Sequence, residues 1–154
     1  MKYWLMKSEP SVYSIDDLKR DKKTYWDGVR NFQARNFMRD SMKAGDLVLF
    51  YHSNAEPSGV AGIARVCKAG YLDFTAWDKR DVHFDAKSTQ DKPLWFMVDV
   101  EFVEKFVHFV SLAELKNEPL LKDMLVVKPG TRLSVQPVNQ NHFLTIQKLS
   151  SSLS

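Results

Sequence analysis

Six consecutive residues, Trp26-Asp27-Gly28-Val29-Arg30-Asn31, set an aromatic face, a carboxylate, a flexible turn, a guanidinium and an amide side by side. A hydrophobic core has no use for that mixture. Aromatic rings and a guanidinium suit a planar, polar, phosphate-linked ligand, so the chemistry indicated is capture of a modified or unstacked nucleobase. The same residues also fit a strand end that runs through a turn into a helix, and alone they do not separate the two readings. Similar junctions recur: Trp4 precedes Lys7-Ser8-Glu9, and Phe50-Tyr51 precede His52-Ser53. Such junctions are where a rigid scaffold presents side chains. Any single aromatic among them is also explained as a core residue, because aromatics contribute large buried areas.

Residues for catalysis are sparse. His83-Phe84-Asp85 puts an imidazole and a carboxylate on one face if extended, and His52-Ser53 sets a hydroxyl beside an imidazole, but adjacency in sequence is not triad geometry. His108 and His142 are far apart in sequence, and neither a thiolate cluster nor an HExxH spacing accompanies them. No Gly-rich loop opens a helix after a strand. Cys67, the only cysteine, follows the apolar run Val60 to Val66 and is expected to be a buried structural thiol. No catalytic residue, metal or cofactor is therefore expected.

The elements that must position these residues follow from local patterns. Lys2 to Lys7 reads as a strand, Ser14 with Asp17 as the start of a brief helix through Arg20, and Thr24 to Asp27 as a second extended piece. Asn31 is a plausible cap for a helix over Phe32 to Asp40, with Phe37 and Met38 inward and Arg35 and Arg39 one turn apart. Leu47 to His52 and Val60 to Cys67 are predicted to pair as a hairpin across the Glu56-Pro57-Ser58-Gly59 turn. Leu94 to Val103 is the longest strand candidate, with Phe96, Val98, Val100 and Phe102 on one side. Ser111 with Glu114 fits a capping box, Asn117 to Met124 a turn of helix interrupted at Pro119, Leu133 to Gln136 a last strand, and Asn139 the cap of a closing helix through Leu149. The sum is an α+β fold, a small mixed β-barrel surrounded by short helices.

At 154 residues the chain has the length of one domain, and no repeat or long linker divides it. Its opening apolar stretch is too short for a signal peptide or a spanning helix, so a soluble intracellular protein is expected. Composition is that of an ordinary globular chain apart from the Ser-rich end Ser150-Ser151-Ser152. The net charge of +3 is uneven: residues 1 to 45 hold ten Lys or Arg against six Asp or Glu. That excess accompanies the opening motif and is compatible with a phosphate-facing surface, as it is with a solvated helix face.

Taken in order, the words Tyr3-Trp4-Leu5-Met6-Lys7-Ser8-Glu9-Pro10, Tyr13-Ser14 with Asp17-Leu18, Trp26 to Asn31 followed by Gln33-Ala34-Arg35-Asn36, Gly45-Asp46 leading to Phe50-Tyr51-His52-Ser53, Trp95 with Val98-Asp99, and Leu133-Ser134-Val135-Gln136-Pro137 span nearly the whole chain. In this it resembles the EVE domain family of the PUA-like superfamily, which also includes the YTH readers of methylated adenine. The resemblance implies one PUA-like domain over residues 1–154, a barrel decorated with helices, no catalytic machinery, and a pocket for modified bases in nucleic acid. It assigns that pocket to Trp26, to Lys7, Ser8 and Glu9, and to Tyr51, His52 and Ser53. It also implies a cytoplasmic location in bacteria and a nuclear one in animals. One departure is Phe143, where the family usually has a tryptophan in the last helix.

The expected function is therefore a non-catalytic module that holds a flipped base, a methylated or hydroxymethylated cytosine or a methylated adenine, against Trp26. Trp4 or Tyr51 would form a second wall, and Ser8, Asn31 and Asp27 would meet the Watson–Crick edge. Arg30, Arg35 and Arg39, with Lys7, are the expected phosphate partners. The expected partner is nucleic acid, DNA or RNA, and not a membrane. Two other classes stay open. One is an enzyme acting on a modified base through His52, Asp27 or Asp85; the other is a protein-interaction module with an exposed aromatic patch.

Overall fold

The computed structural model describes residues 1–130 and 132–151; Ser152 of the Ser-rich end lies outside them. Among the described residues six strands form one mixed sheet: β1 (Tyr3–Ser8), β2 (Lys23–Trp26), β3 (Leu47–His52), β4 (Gly59–Leu72), β5 (Phe96–Ser111) and β6 (Val135–Val138), in the spatial order β2-β5-β4-β3-β1-β6. β1 and β3 are parallel and every other pair is antiparallel. A parallel pair needs a crossover, and residues 9–46 supply it with α1 (Ile15–Asp21), β2 and α2 (Phe32–Asn36).

The α+β, PUA-like expectation holds with one difference. The sheet is not closed, because β2 and β6 lie at opposite edges and do not pair. These two edge strands have four residues each. The long β4 and β5 carry the curvature instead. Their register shifts at four places along the pair, and such bulges add local twist.

The central strands are buried on both faces. Trp4, Met6, Val48 and Phe50 join one core with Leu18, Trp26 and Met38. Their alternates Leu5, Leu49 and Tyr51 join a second with Ile63, Phe143 and Ile146, as the two-residue period of a strand requires. The last helix, α4 (Gln140–Ser150), covers the second face. There Phe143 is 2% exposed and its ring lies 4.6 Å from that of Tyr3, so the aromatic in this helix serves packing.

Helix starts fall where their caps predict. Ser14 and Asp17 close a capping box at α1, and Ser111 and Glu114 close another at α3 (Leu112–Asn117). Asn31 accepts the Ala34 N–H at 2.9 Å, and Asn139 accepts that of His142 at 2.8 Å. Several expectations shift, beginning with β4, which runs past Cys67 to Leu72. The helix after Asn31 becomes a π turn at Phe37–Ser41, which lies so close on β4 that a Cβ at Gly70 would sit 2.2 Å from the Met38 carbonyl. β5 runs on to Ser111 through the exposed Val103, Glu104 and Lys105, because its backbone stays paired with β4 while those side chains face water. The last strand lies two residues later than the apolar pattern placed it, because its pairing with β1 opposes Tyr3 to Val138. Cys67 is half-buried, not buried; partial burial and the Glu101 and Asp99 carboxylates raise its thiol pKa, which keeps it protonated. Among the described residues no helix is long and apolar enough to cross a membrane.

Candidate functional site

β2 delivers Trp26 to the sheet edge opposite Val98 of β5. The indole is largely core: it is 9% exposed and meets the Phe50 ring edge-on at 5.4 Å. Beyond it the chain leaves the strand, and Gly28 adopts φ +76, a left-handed conformation that costs a glycine little. Its N–H donates to Asp73 Oδ2 at 3.0 Å. Val29 is buried and Asn31 begins the helix.

Arg30 ties this turn to a segment more than forty residues downstream. Its Nη1 donates to Asp73 Oδ2 at 2.9 Å, and Nη2 and Nε donate to the His83 carbonyl at 2.6 and 3.2 Å. The guanidinium also lies 5.3 Å from the Trp95 ring centroid. Burial alone would raise the Asp73 pKa, but hydrogen bonds from Thr75, Arg30 and the Gly28 N–H outweigh it and hold the carboxyl below its ordinary value. The clamp brings the His83 ring over Gly28, where a Cβ would stand 2.4 Å from His83 Nε2.

An open cavity of about 400 Å³ results, within the range of small-ligand sites. It brings together four of the expected base-binding residues: Lys7, Ser8, Trp26 and Asp27. Burial lowers the Lys7 pKa, with no charged neighbour to offset it. Burial raises that of Asp27, opposed by the His83 ring and by the Asp27 N–H. Ser8 donates its hydroxyl proton to the Tyr13 carbonyl at 2.6 Å.

The remaining expected residues stand elsewhere. Trp4 is buried, donates its indole N–H to Asp46 at 3.0 Å and borders a separate cleft with Phe37. Tyr51 is buried in the core on the opposite face of the sheet from Trp26. His52 accepts the Ile15 N–H at Nε2, which requires a neutral ring at that nitrogen, and burial lowers its pKa accordingly. Ser53 donates its backbone N–H to the Ser8 carbonyl at 3.0 Å. Glu9 is exposed and accepts from Asn54. Asn31 spends its side-chain oxygen on capping α2.

Of the expected phosphate partners, Arg30 is committed to Asp73 and His83. Arg35 donates to the Leu94 carbonyl and the Asn36 side chain, and its guanidinium lies 4.8 Å from the Phe32 ring. Arg39 makes a two-pronged pair with Asp40 at the surface.

Sequence reasoning did not place Val12, Tyr13, Thr24, Tyr25 or His83 at this wall. The Thr24 position follows from strand alternation, which sets it on the same face as Trp26, whereas nothing local marks His83. Its Nδ1 lies 3.3 Å from Asp27 Oδ2 and 3.2 Å from Asp81 Oδ1. These three residues offer ligand atoms within 4.8 Å of one another, the one such grouping among the described residues. Three ligands are one short of a structural zinc site. Asp81 also accepts the His83 backbone N–H at 2.8 Å.

Chemically, the cavity lining combines Trp26, Lys7 and Asp27 with mostly polar and aromatic neighbours, Val12 being its one aliphatic side chain, and the Lys7 ammonium lies 5.9 Å from the Tyr51 ring centroid. The EVE domain model matches residues 2–149. Human thymocyte nuclear protein 1 is 44% identical over 92% of this chain and 70% of its own length. A crystal structure of human THYN1 protein in complex with 5-methylcytosine containing DNA superposes with TM-score 0.91 at 42% identity, covering all of both chains. A hypothetical protein from Leishmania major has TM-score 0.93 at 49% identity over 97% of this chain and 94% of its own. A YTH domain from Zygosaccharomyces rouxii, at TM-score 0.55 and 16% identity, shares the fold alone. With the family model spanning nearly its full length, the chain belongs to the EVE domain family.

Proposed function

We propose that this protein is a non-catalytic EVE module, a single domain over residues 1–154, that binds nucleic acid through one modified base turned out of its stack into the cavity beside Trp26 and Asp27. One observation carries the reading: a cavity of about 400 Å³ is lined by Trp26, Lys7 and Asp27. A protein 42% identical, with TM-score 0.91, is known in complex with 5-methylcytosine containing DNA. Contact with an aromatic side chain contributes about 1–3 kcal/mol to a bound base without choosing its identity. A methyl group buried against Val12 or the ring edges adds about 0.8 kcal/mol.

Within this reading Lys7, Ser8, Trp26 and Asp27 contact the base. Glu9, Asn31, Tyr51, His52 and Ser53 hold the wall in place, and Trp4 fixes β1 from the core. Arg35 and Arg39 reach the phosphates, and Arg30 shapes the turn. The base is a methylated or hydroxymethylated cytosine, or a methylated adenine.

The test is a binding panel of modified and unmodified cytosine and adenine oligonucleotides, DNA and RNA, at one fixed salt concentration. Tighter binding to one modified strand than to its unmodified counterpart, weakened in Lys7→Met with the fold intact, is expected. Equal affinity for every modified and unmodified pair would overturn the reading.

A further inference from the structure

The base-reading function proposed above is the premise here, and the question is how one pyrimidine is told from another. Thymine and 5-methylcytosine carry the same methyl group at the same ring position, so stacking and a methyl slot hold them alike. They differ at position 4, where cytosine presents an amino donor and thymine a carbonyl acceptor. A module that selects 5-methylcytosine in DNA therefore needs, at that position, a group that accepts and does not donate.

Asp27 has that character, since an ionised carboxylate is an acceptor only. Its side chain is 27% exposed on the cavity wall, directly after Trp26. The other shielded carboxylates are already filled. Asp73 takes the Gly28 and Thr75 N–H groups, the Thr75 hydroxyl and the Arg30 guanidinium. Asp46 takes the Lys2 and Lys43 N–H groups and the Trp4 indole. Asp27, among the described residues, has only its own backbone N–H and the neighbouring His83 ring. A partly buried carboxylate with unused acceptor capacity is costly unless something donates to it.

His83 stands directly against that carboxylate. Its Nδ1 is shielded from solvent, has no well-aligned hydrogen bond, and lies between Asp27 and Asp81. Its ring rests on Gly28 and its carbonyl is gripped by Arg30. Asp27 thus shares the cavity wall with a neighbour that is itself anchored.

We propose that Asp27 is the specificity residue of the site, accepting a hydrogen bond from the exocyclic amino group of 5-methylcytosine and repelling the 4-carbonyl of thymine, with His83 as its positioning residue. Lys7, on the same cavity wall, supplies the donor for the pyrimidine's remaining acceptors.

The experiment uses single-stranded DNA oligonucleotides identical except for one central base, which is 5-methylcytosine, cytosine or thymine, with no other thymine in the strand. The wild-type protein is expected to favour 5-methylcytosine over thymine by about ten- to a hundredfold, the size of one well-made base-edge contact. Asp27→Asn keeps the shape but adds a donor that suits the 4-carbonyl. It is expected to bring that ratio to about one or below by weakening the 5-methylcytosine and cytosine strands alike, since both carry the 4-amino group, with the thermal unfolding midpoint unchanged. His83→Gln is expected to lower the ratio severalfold by weakening the 5-methylcytosine and cytosine strands and not the thymine strand, whereas a purely structural role would weaken all three strands together. If the wild type prefers 5-methylcytosine to cytosine yet binds thymine equally, or if Asp27→Asn keeps the ratio, this inference is overturned and base reading stands. If His83→Gln keeps the ratio, the positioning role alone falls. If the wild type does not distinguish 5-methylcytosine from cytosine, base reading of this mark and the inference fall together.

Discussion

Arg30 Nη1 and Asp73 Oδ2 meet at 2.9 Å with the carboxylate fully buried and the arginine side chain 23% exposed. This contact joins the turn after β2 to the segment between β4 and β5, and so places His83 at the cavity. Removing one partner of a shielded pair leaves a charge without compensation, which costs about 3–5 kcal/mol. Asp73→Ala is expected to lose stability of that order in urea unfolding. Arg30→Lys, which cannot grip Asp73 and the His83 carbonyl at once, is expected to lose less but to loosen the segment, read as faster amide exchange at residues 81–85.

Gly28→Ala meets two obstacles. The backbone has φ +76, and the new methyl would stand 2.4 Å from His83 Nε2. A left-handed non-glycine residue costs about 1–2 kcal/mol before any clash. The variant is expected to unfold at lower urea concentration than wild type and to displace the His83 ring, seen as a changed imidazole NMR signal. Gly45→Ala, at φ +100 with open space around its Cβ position, is the control: it carries backbone strain and leaves the His83 signal unmoved.

Acid should destabilise the fold through Asp46 and Asp73. Burial opposes ionisation of each, yet the donors around them hold both pKa values below the ordinary 3.8. A carboxyl depressed in the folded state contributes stability that is present above its unfolded pKa and is lost as pH falls through the folded one. The urea midpoint is therefore expected to be level near neutrality and to drop steeply below about pH 4. Asp46→Asn should lower the midpoint at neutral pH and make that acid drop shallower; an unchanged acid slope would count against this assignment.

Salt should separate the phosphate contacts from the base contacts. Each phosphate neutralised contributes about −0.7 to the slope of log affinity against log salt on a single strand. Arg35→Gln and Arg39→Gln are each expected to flatten that slope by about this amount and to weaken all strands equally. Arg30→Gln, with its guanidinium engaged inside the protein, is expected to leave the slope unchanged.

Much of the fold is legible in the sequence because much of it is local. Ser14 with Asp17, Ser111 with Glu114, and the caps Asn31 and Asn139 act over three residues, so residue type and spacing suffice to locate each helix start. The order of the family words likewise marks β1, the turn after β2, and β3. Strand limits are less legible, since backbone pairing carries β5 through the polar stretch Glu104-Lys105 to Ser111.

The site divides the same way. By itself the sequence determined that Trp26 and Asp27 stand at a strand end beside a glycine turn, because strand period and turn chemistry are properties of neighbours. Only the tertiary structure decided which side chains share the cavity. Tyr51 goes to the far core because sheet pairing sets which alternate residues face each way. Arg30 turns inward because Asp73, forty-three residues on, needs a cation. His83 joins Asp27 because that pair carries its loop there. Contacts between residues so far apart along the chain depend on how whole elements pack, and no local pattern of residue types encodes them.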